Sequence, residues 1–381
     1  MKEKIIIFTA GYFPAEKYGG PPVSIKNMCA SLRDTFDFYI ICRNTDLDGA
    51  VLDVETNKFI HMNSSGEQVF YLESKDWNYV NFLKIIKEVD PALIYLQSFF
   101  AAKTLIPVLR CANKLNKKLL IAPRGELLPG AIKNKWLKKI IYIKVMKHFC
   151  KSKNIYFQAT SEEESGAISY YLNDKVYYLN NFPTMKNSTE EMKSKKEKGK
   201  LRLVYISRIT PKKNLDFALE VINEISSGEV IFDIYGPKED EEYWERCKQR
   251  FNNNEKVMIN YKGTLSHQQV MPTFFGYDFF FFPTWSENFG HVITEAMASD
   301  CPVIISDNTP WNEINNYHSG FSINLGDKSS FVGTIEKLIG IGNNEYQKIL
   351  INNRKFCKEK FKVDKIKKEY NEIFEVIIND E

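Results

Sequence analysis

Short apolar runs alternate with longer amphipathic stretches along most of the chain. Runs of four to seven largely apolar residues predict buried strands, and stretches with apolar residues every three or four positions predict helices. The predicted strands lie at 5–9, 36–42, 58–61, 69–72, 93–97, 119–122, 176–180, 203–207, 230–235, 257–261, 279–282 and 302–306. The predicted helices lie at 23–32, 77–89, 100–115, 240–251, 267–275, 292–298, 344–360 and 365–377. This alternation is typical of α/β proteins with doubly wound parallel sheets.

A polar segment divides the pattern into two halves. Residues 184–200 are rich in Lys and Glu and have no apolar period, which is typical of a linker. A chain of 381 residues is long enough for two domains. We therefore predict an N-terminal domain at 1–182, a linker at 183–200, a C-terminal domain at 201–360 and a last helical segment at 361–381.

The stretch 279–306 predicts a strand, a loop, a helix and a second strand. The loop follows the carboxyl end of a strand, where open α/β sheets bind ligands. The segment Asn288-Phe289-Gly290 opens the helix, whose first N–H groups favour an anion. Glu287 and Glu295 are separated by about 12 Å at 1.5 Å per helical residue, so they cannot form one compact acid–base pair. They suit the two ends of an extended ligand with a central anion, such as a nucleoside diphosphate sugar; two solvated glutamates are the alternative.

Two further loops carry groups that suit phosphate. Arg208 and Lys213 flank the turn after the strand 203–207, where a guanidinium fork and a point charge can hold a diphosphate. Gly19 and Gly20 follow the first strand and allow close approach of backbone to a ligand. Each element alone is also compatible with an ordinary loop. The pattern Gly-x-Gly-x-x-Gly is absent from the sequence, which argues against a dinucleotide-dependent oxidoreductase.

Taken together, these elements resemble glycosyltransferase family 4. The resemblance rests on Glu287, seven intervening residues and Glu295, followed by Ala-Met-Ala and Pro-Val-Ile, and on the basic loop 208–215. It implies a retaining enzyme of the GT-B architecture, with two Rossmann-like domains facing a cleft. The N-terminal domain would be the acceptor side, the C-terminal domain would bind the nucleotide sugar, and the last helix, 361–381, would cross back to the N-terminal domain. It also implies a catalytic group of Arg208, Lys213 and Glu287, and a donor-binding group of Gly19, Gly20, Asn288, Phe289, Gly290, His291 and Glu295.

The chain departs from the family pattern at a few positions. Asp300 stands where the family has Gly after the helix, and Asn214 replaces another Gly; both residue types tolerate the left-handed conformation better than most. The family's His-Gly pair is replaced by Arg124-Gly125, so no catalytic histidine is implied there. Arg124 and Glu126 are candidates for the acceptor side, with a purely structural loop as the alternative.

Charge is distributed unevenly between the two halves. Residues 1–182 carry 25 Lys and Arg against 18 Asp and Glu, whereas residues 183–381 carry 27 against 30. Residues 131–154 hold eight lysines and no acid, interleaved with apolar residues. This predicts a basic helix that either packs an apolar stripe on its own sheet or lies on an anionic membrane surface. Nucleic acid is not expected as a partner, because no recognised binding module accompanies the charge.

The sequence therefore predicts a metal-independent glycosyltransferase without a cofactor. We expect it to move a hexose or N-acetylhexosamine from a nucleoside diphosphate sugar, with UDP favoured, to a lipid-linked or saccharide acceptor in cell-surface polysaccharide synthesis. A nucleotide-sugar epimerase of the same fold and a non-enzymatic sensor are the alternatives. Asp46-Leu47-Asp48 resembles a metal-binding Asp-x-Asp, but this pattern is common in loops. Without a signal peptide or apolar span, we expect a cytoplasmic protein that contacts the inner membrane through 131–154.

Overall fold

The chain folds into two compact α/β units. The computed structural model describes residues 2–133, 135–173, 175–184, 195–251 and 254–380. Unit 1 contains the chain up to Phe182 together with the C-terminal segment from Val363, and unit 2 contains Pro183–Lys362. Most of the predicted linker, residues 185–194, lies outside the described residues.

Unit 1 is built on a sheet in which the described strands follow the order β3-β4-β2-β1-β5-β6-β7-β8. All neighbours are parallel except the edge pair β3–β4. The strands are β1 (Glu3–Phe8), β2 (Phe36–Arg43), β3 (Phe59–His61), β4 (Gln68–Leu72), β5 (Leu93–Gln97), β6 (Lys118–Ala122), β7 (Ile155–Ala159) and β8 (Val176–Tyr178). The helices are α1 (Gly20–Leu32), α2 (Tyr79–Val89), α3 (Ala102–Leu115), α4 (Pro129–Lys133), α5 (Trp136–Phe149), α6 (Glu162–Tyr171) and the C-terminal α14 (Val363–Asn379), with a 3-10 turn at Ser74–Asp76.

Helices cover both faces of this sheet, because successive strand residues point to opposite sides. In β1, Ile6 and Phe8 join the core formed with α2, α3 and α5, while Ile5 and Ile7 join the core formed with α1 and α14. On α14, Phe374 packs its ring 5.5 Å from that of Phe36 and 6.0 Å from that of Tyr95. The last helix of the chain is thus part of the core of unit 1.

Unit 2 is built on a second parallel sheet with the order β11-β10-β9-β12-β13-β14. Its strands are β9 (Lys200–Ile206), β10 (Glu229–Tyr235), β11 (Val257–Tyr261), β12 (Phe279–Phe282), β13 (Val303–Ser306) and β14 (Phe321–Ile323). Its helices are α7 (Leu215–Asn223), α8 (Glu241–Lys248), α9 (His267–Phe275), α10 (His291–Ala298), α11 (Ile314–Tyr317), α12 (Lys328–Gly340) and α13 (Asn343–Lys360), with a 3-10 turn at Pro211–Lys213. The four phenylalanines of β12 are all fully buried, as a central strand covered on both faces requires.

The predicted fold class is confirmed, although the structure differs from the prediction at several elements. Strand β7 was not predicted, because its five residues lie directly between the basic segment and the next helix start. The basic segment forms two helices rather than one, since Lys135 adopts a left-handed φ of 58° before α5. Helix α1 begins at Gly20, three residues earlier than predicted, because proline is tolerated in the first helical turn, where its missing N–H has no partner to lose.

Two predicted left-handed positions are confirmed. Asn214 has a φ of 60° and Asp300 a φ of 55°. Asp300 also has a use that glycine could not supply, because its two carboxylate oxygens accept from Nε and Nη2 of Arg354 at 2.8 and 3.0 Å. This fork ties the end of α10 to α13. Among the described residues, no helix is both long and apolar enough to cross a bilayer.

Candidate functional site

The strand order of unit 2 places two candidate loops side by side. The chain runs outward from β9 through β10 to β11, and then returns to place β12 on the other side of β9. The pairs Phe279–Leu203 and Phe280–Val204 set the register of β9 and β12. The carboxyl ends of these two strands form a topological switch point, where open α/β sheets bind ligands. The loop after β9 carries the basic candidates, and the loop after β12 leads into α10.

The basic loop after β9 is held by backbone contacts with its neighbours. The N–H of Ser207 donates to Tyr235 O at 3.1 Å, and the N–H of Ile209 donates to Pro237 O at 2.9 Å. Gly236 makes this close approach possible, because a Cβ there would lie 1.8 Å from Ser207 O. The buried Asn214 donates from Nδ2 to Pro283 O at 2.9 Å and so fastens this loop to the next one. Asn214 therefore links the loop after β9 to the loop after β12.

Lys213 and Glu287 contact each other directly at this point. Nζ of Lys213 donates to Oε1 of Glu287, and the two side chains are only 13% and 12% exposed. The hydroxyl of Thr284 lies 3.3 Å from the same carboxylate oxygen. Nζ also lies 5.6 Å from the ring centre of Phe282, on the buried strand below. A cation and a carboxylate are thus held together, largely out of water, at the mouth of the switch point.

Arg208 lies on the same loop in a more open setting. Its Nη1 contacts both carboxylate oxygens of Glu239, at 3.2 and 3.1 Å, and its side chain is 40% exposed. An exposed pair of this kind is worth little to stability, so a ligand anion can replace Glu239 at small cost. Both cations predicted to hold a diphosphate therefore have a carboxylate partner in this structure.

The loop that carries Glu287 ends at the start of α10, which provides backbone donors. Gly290 precedes the helix with a left-handed φ of 75°, and a Cβ there would lie 2.9 Å from Cδ1 of Ile293. The first N–H groups of a helix have no intrahelical acceptor and favour an anion. Phe289 is fixed by two neighbours, since its carbonyl accepts from Trp311 Nε1 at 2.5 Å and its ring lies 4.7 Å from that of His291. Together with Asn288, these residues form the turn into the helix.

Glu295 lies on α10 in a different environment from Glu287. Its carboxylate is buried, and burial raises its pKa from 4.5 to about 7, while a hydrogen bond from Thr184 opposes that rise. Oε1 lies 3.5 Å from the Thr184 hydroxyl and 3.9 Å from Nδ1 of His267. The two glutamates contact separate sets of partners, and their roles toward a ligand stay predictions.

The candidates on unit 1 are engaged mainly in local structure. Glu126 accepts from the Ser98 hydroxyl at 2.7 Å and from the N–H groups of Phe99 and Phe100 at 2.6 and 2.9 Å, and burial raises its pKa. Arg124 has a φ of 56° and donates from Nε to Gln97 at 2.7 Å and from Nη1 to Asn181. These contacts support the structural alternative for this loop, and a contact with an acceptor stays a prediction.

Gly19 and Gly20 form the entry to α1. Gly19 precedes the helix with a φ of 71°, a left-handed value that favours glycine, and Gly20 is the first helical residue. The loop that they end follows β1, whose carboxyl end lies beside that of β5 at the switch point of the unit 1 sheet. A donor contact of this pair is implied by the resemblance alone and stays a prediction.

Asp46 has backbone partners in the loop after β2. Its oxygens accept from the N–H groups of Glu16 at 3.0 Å, Lys17 at 3.1 Å and Leu47 at 2.7 Å, and Asp48 forms an ion pair with Lys17. These contacts explain both carboxylates as loop anchors. Within the described ranges, no group of three or more His, Cys, Asp or Glu side chains is arranged to hold a metal ion.

Sequence reasoning missed the partners that set the environment of the site. Asn214 joins the two loops, Thr284 contacts the carboxylate of Glu287, Glu239 pairs with the guanidinium of Arg208, and His267 and Thr184 lie beside the carboxylate of Glu295. Each lies far along the chain from its partner, with the exception of Thr284, so no local pattern marks it. Thr284 was within reach of sequence reasoning, because it stands three residues before Glu287 in the same loop.

The part of the chain that carries this site matches a known protein family. Residues 187–356 match the family described as "Glycosyl transferases group 1", a segment that includes both loops of the switch point and α10. No curated protein sequence matches the chain significantly. The chain is similar in structure to Alr3699/HepE of Anabaena, solved in complex with UDP and glucose, with 15% identity, coverage of 98% of this chain and 99% of that chain, and a TM-score of 0.69.

Two further solved structures show the same architecture. A sucrose-phosphate synthase from Thermosynechococcus elongatus is 13% identical, with 98% of each chain covered and a TM-score of 0.70. A glycosyltransferase from Rickettsia africae is 16% identical, with 100% of each chain covered and a TM-score of 0.68. Identities this low show the fold alone. The chain therefore has the GT-B fold of two Rossmann-like domains, and the segment 187–356, which carries the candidate site, matches the group 1 glycosyl transferases.

Proposed function

We propose that the protein is a retaining glycosyltransferase of family 4 that uses a nucleoside diphosphate sugar, with UDP favoured. The observation that carries this proposal is the meeting of Lys213, Glu287 and the start of α10 at the switch point of unit 2. This arrangement offers a cation and helix amides for a diphosphate, beside a carboxylate for sugar hydroxyls. The structural neighbour solved with UDP and glucose supports the choice of base.

Each group of the site has a distinct part in the proposed reaction. Arg208, Lys213 and the amides at Gly290 hold the diphosphate, and they stabilise the charge that develops on it as the sugar–oxygen bond breaks. Glu287 orients the sugar. Glu295, more than two turns along α10, holds the ribose. Two carboxyl groups about 5 Å apart would be needed for double displacement through a covalent intermediate, whereas helix spacing separates Glu287 and Glu295 by about 12 Å.

Retention in this proposal follows from attack on the same face of the sugar. The acceptor hydroxyl forms the new bond on the face from which the diphosphate leaves, and an oxygen of the departing phosphate takes the hydroxyl proton. The products are the glycosylated acceptor and the nucleoside diphosphate. Cations and amides already present supply the electrostatic stabilisation, so the proposal needs no metal ion and no other cofactor.

We propose unit 2 as the donor side and unit 1 as the acceptor side. The acceptor would be a lipid-linked or free saccharide in cell-surface polysaccharide synthesis. Among the candidates on unit 1, the Arg124–Glu126 loop follows the carboxyl end of β6. That strand end belongs to the edge where doubly wound sheets bind their ligands.

A thermal-shift panel of nucleoside diphosphates and their sugars tests the donor assignment. A ligand at 100 times its dissociation constant adds about 2.7 kcal/mol to the free energy of unfolding, so the preferred base should stand apart from the others. Transfer of label from that donor to saccharide acceptors then tests the activity. Conversion of the donor to an epimer without any acceptor would favour the epimerase, and binding without turnover in any mixture would favour the sensor.

A further inference from the structure

Helix α5 exposes a row of large apolar side chains. Trp136, Leu137, Ile141, Val145 and Phe149 are each 52–60% exposed. They make up five of the sixteen large apolar side chains that are exposed among the described residues, and all five lie within one helix of 14 residues. Scattered exposed apolar residues are normal on a protein surface, whereas a contiguous group marks an interaction site.

The spacing of four of these five residues places them in a row on one side of the helix. Leu137, Ile141, Val145 and Phe149 follow one another at intervals of four residues, and such residues are neighbours on a helix surface. From the first to the last, the row is about 18 Å long at 1.5 Å per residue. The other side of α5 is anchored, because Ile143 and Met146 are buried in the core of unit 1. The row is therefore held outward by a helix that is itself packed in place.

Lysines surround this row without any acid in the same segment. Residues 131–154 contain no Asp or Glu. The exposed lysines of this segment are Lys133, Lys135, Lys138, Lys144, Lys147, Lys151 and Lys153. Lys139 differs from them, since its Nζ donates to Ala131 O at 2.6 Å and lies 4.9 Å from the ring centre of Phe100. The surface thus combines an apolar centre with a positive border.

We propose that the apolar row of α5 and its lysine border form a contact surface for an anionic lipid bilayer. The row would enter the boundary between headgroups and acyl chains, and the lysines would extend to the lipid phosphates. An anionic bilayer suits both the apolar row and the lysine border. A nucleic acid would use the lysines but would leave the row exposed to water. A second copy of this chain, docked through a two-fold contact at the same surface, would bring one lysine border against the other.

This proposal does not depend on the donor site, and it is tested without any nucleotide. If the proposed transferase activity also holds, membrane contact through unit 1 favours a lipid-linked acceptor over a free saccharide. If wild type turns over a soluble acceptor but binds no vesicles, the membrane surface alone is rejected. If wild type binds vesicles but shows no turnover, the proposed activity alone is rejected.

The first experiment measures binding of the full chain to vesicles of phosphatidylcholine with and without phosphatidylglycerol. We expect binding to the anionic vesicles only, weakening as salt is raised. The variant Lys138→Glu, Lys144→Glu, Lys147→Glu should bind at least about 100-fold more weakly, given the contribution of each lysine near an anionic surface. The matched control is Lys348→Glu, Lys355→Glu, Lys358→Glu, which changes net charge equally on the exposed side of α13 and should bind as wild type.

The second experiment tests the apolar row. The variant Leu137→Gln, Ile141→Gln, Val145→Gln should lose at least about tenfold in vesicle affinity, because the row would no longer enter the interface. Its control, Val80→Gln, Ile351→Gln, Val376→Gln, removes equally exposed apolar side chains from three other helices and should leave binding unchanged. All variants replace exposed residues, and far-UV circular dichroism with an unfolding curve verifies that they are folded.

The outcomes separate the occupants of this surface. Losses in both α5 variants, with both controls unchanged, support bilayer contact. If charge reversal abolishes binding but the glutamine variant binds as wild type, the row does not enter the membrane and the proposal is wrong. It is also wrong if no variant changes binding, or if wild type binds no vesicles. Sedimentation that shows a wild-type dimer dissociated by the glutamine variant, without vesicle binding, would assign the row to a second copy instead.

Discussion

Replacing Lys213 by alanine should impair turnover far more than donor binding. In the structure its Nζ is already paired with Oε1 of Glu287, and the two side chains are 13% and 12% exposed. A donor diphosphate would therefore exchange one anionic partner of Lys213 for another, which limits the net gain in affinity. We expect donor KM to rise less than about tenfold, below the roughly 1.5–3 kcal/mol of a newly formed charged hydrogen bond.

The transition state should depend on this lysine more strongly. Negative charge builds up on the leaving diphosphate as the sugar–oxygen bond breaks, and a fixed cation in a largely water-excluded position is most effective there. Interactions that are stronger in the transition state than in the ground state appear in kcat. Loss of one such group costs about 3–4 kcal/mol, so kcat should fall about 10²- to 10³-fold.

The substitution also has a structural cost that must be separated from catalysis. Without Lys213, the carboxylate of Glu287 loses its cation in a site with little water, at a cost of about 1–3 kcal/mol in the free energy of unfolding. The double variant Lys213→Ala, Glu287→Gln removes that isolated charge and should recover part of the stability without recovering kcat. Lys348→Ala, a change in an exposed lysine on α13, is the matched control and should stay within a few-fold of wild type.

Steady-state kinetics against the donor measure kcat and KM for each variant, and circular dichroism verifies that each variant is folded. Glu295→Ala serves as the contrast, because a ribose contact remote from the reacting bond should raise KM more than it lowers kcat. If folded Lys213→Ala keeps more than about a tenth of the wild-type kcat, against the expected loss, the assignment of the leaving-group site is wrong.

Three further predictions concern metal, pH and backbone geometry. Turnover should persist in excess EDTA, because Arg208 and Lys213 replace a metal ion; loss of activity that Mn²⁺ or Mg²⁺ restores would contradict this. Burial raises the pKa of Glu295 from 4.5 to about 7, so this group's contribution to stability is present below pH 4.5 and is lost as pH rises through 7. Urea unfolding should accordingly show Glu295→Gln more stable than wild type at pH 8, by up to about 3 kcal/mol, with the difference vanishing at pH 4.5; a constant difference would refute the buried-acid explanation. Gly236→Ala should destabilise the protein by about 3 kcal/mol or more in the same assay, because its Cβ would lie 1.8 Å from Ser207 O; a change below about 1 kcal/mol would show that the loop relaxes freely.

Much of the fold was predictable because it is encoded locally. Apolar runs such as 279–282 mark buried strands, and left-handed positions at Asn214 and Asp300 follow from residue type. The loop after β12 was also recognisable, since its glycine, its glutamates and the following helix lie within one short stretch. These features depend on residues that are close together in the sequence, so they could be predicted without knowing the fold.

The remaining features depend on contacts between distant segments. Lys213 and Glu287 are 74 positions apart, and only the return of the chain from β11 to β12 brings their loops together. The pairing of Arg208 with Glu239 likewise requires the register of β9 and β10. On α5, composition predicted a basic helix, but which apolar residues face water depends on how the helix packs on its core. No local pattern determines that packing.

The most direct test of the account is calorimetric titration of the protein with UDP, because the central claim is that the switch point of unit 2 holds a nucleoside diphosphate. We predict that wild type binds UDP without added metal. The double variant Arg208→Ala, Lys213→Ala should bind at least about 100-fold more weakly, since it removes two charged partners of the diphosphate. The control Lys348→Ala, Lys355→Ala, which lowers net charge equally on α13, should bind as wild type. Equal binding by all three proteins, or no binding of any nucleoside diphosphate by wild type, would contradict the account.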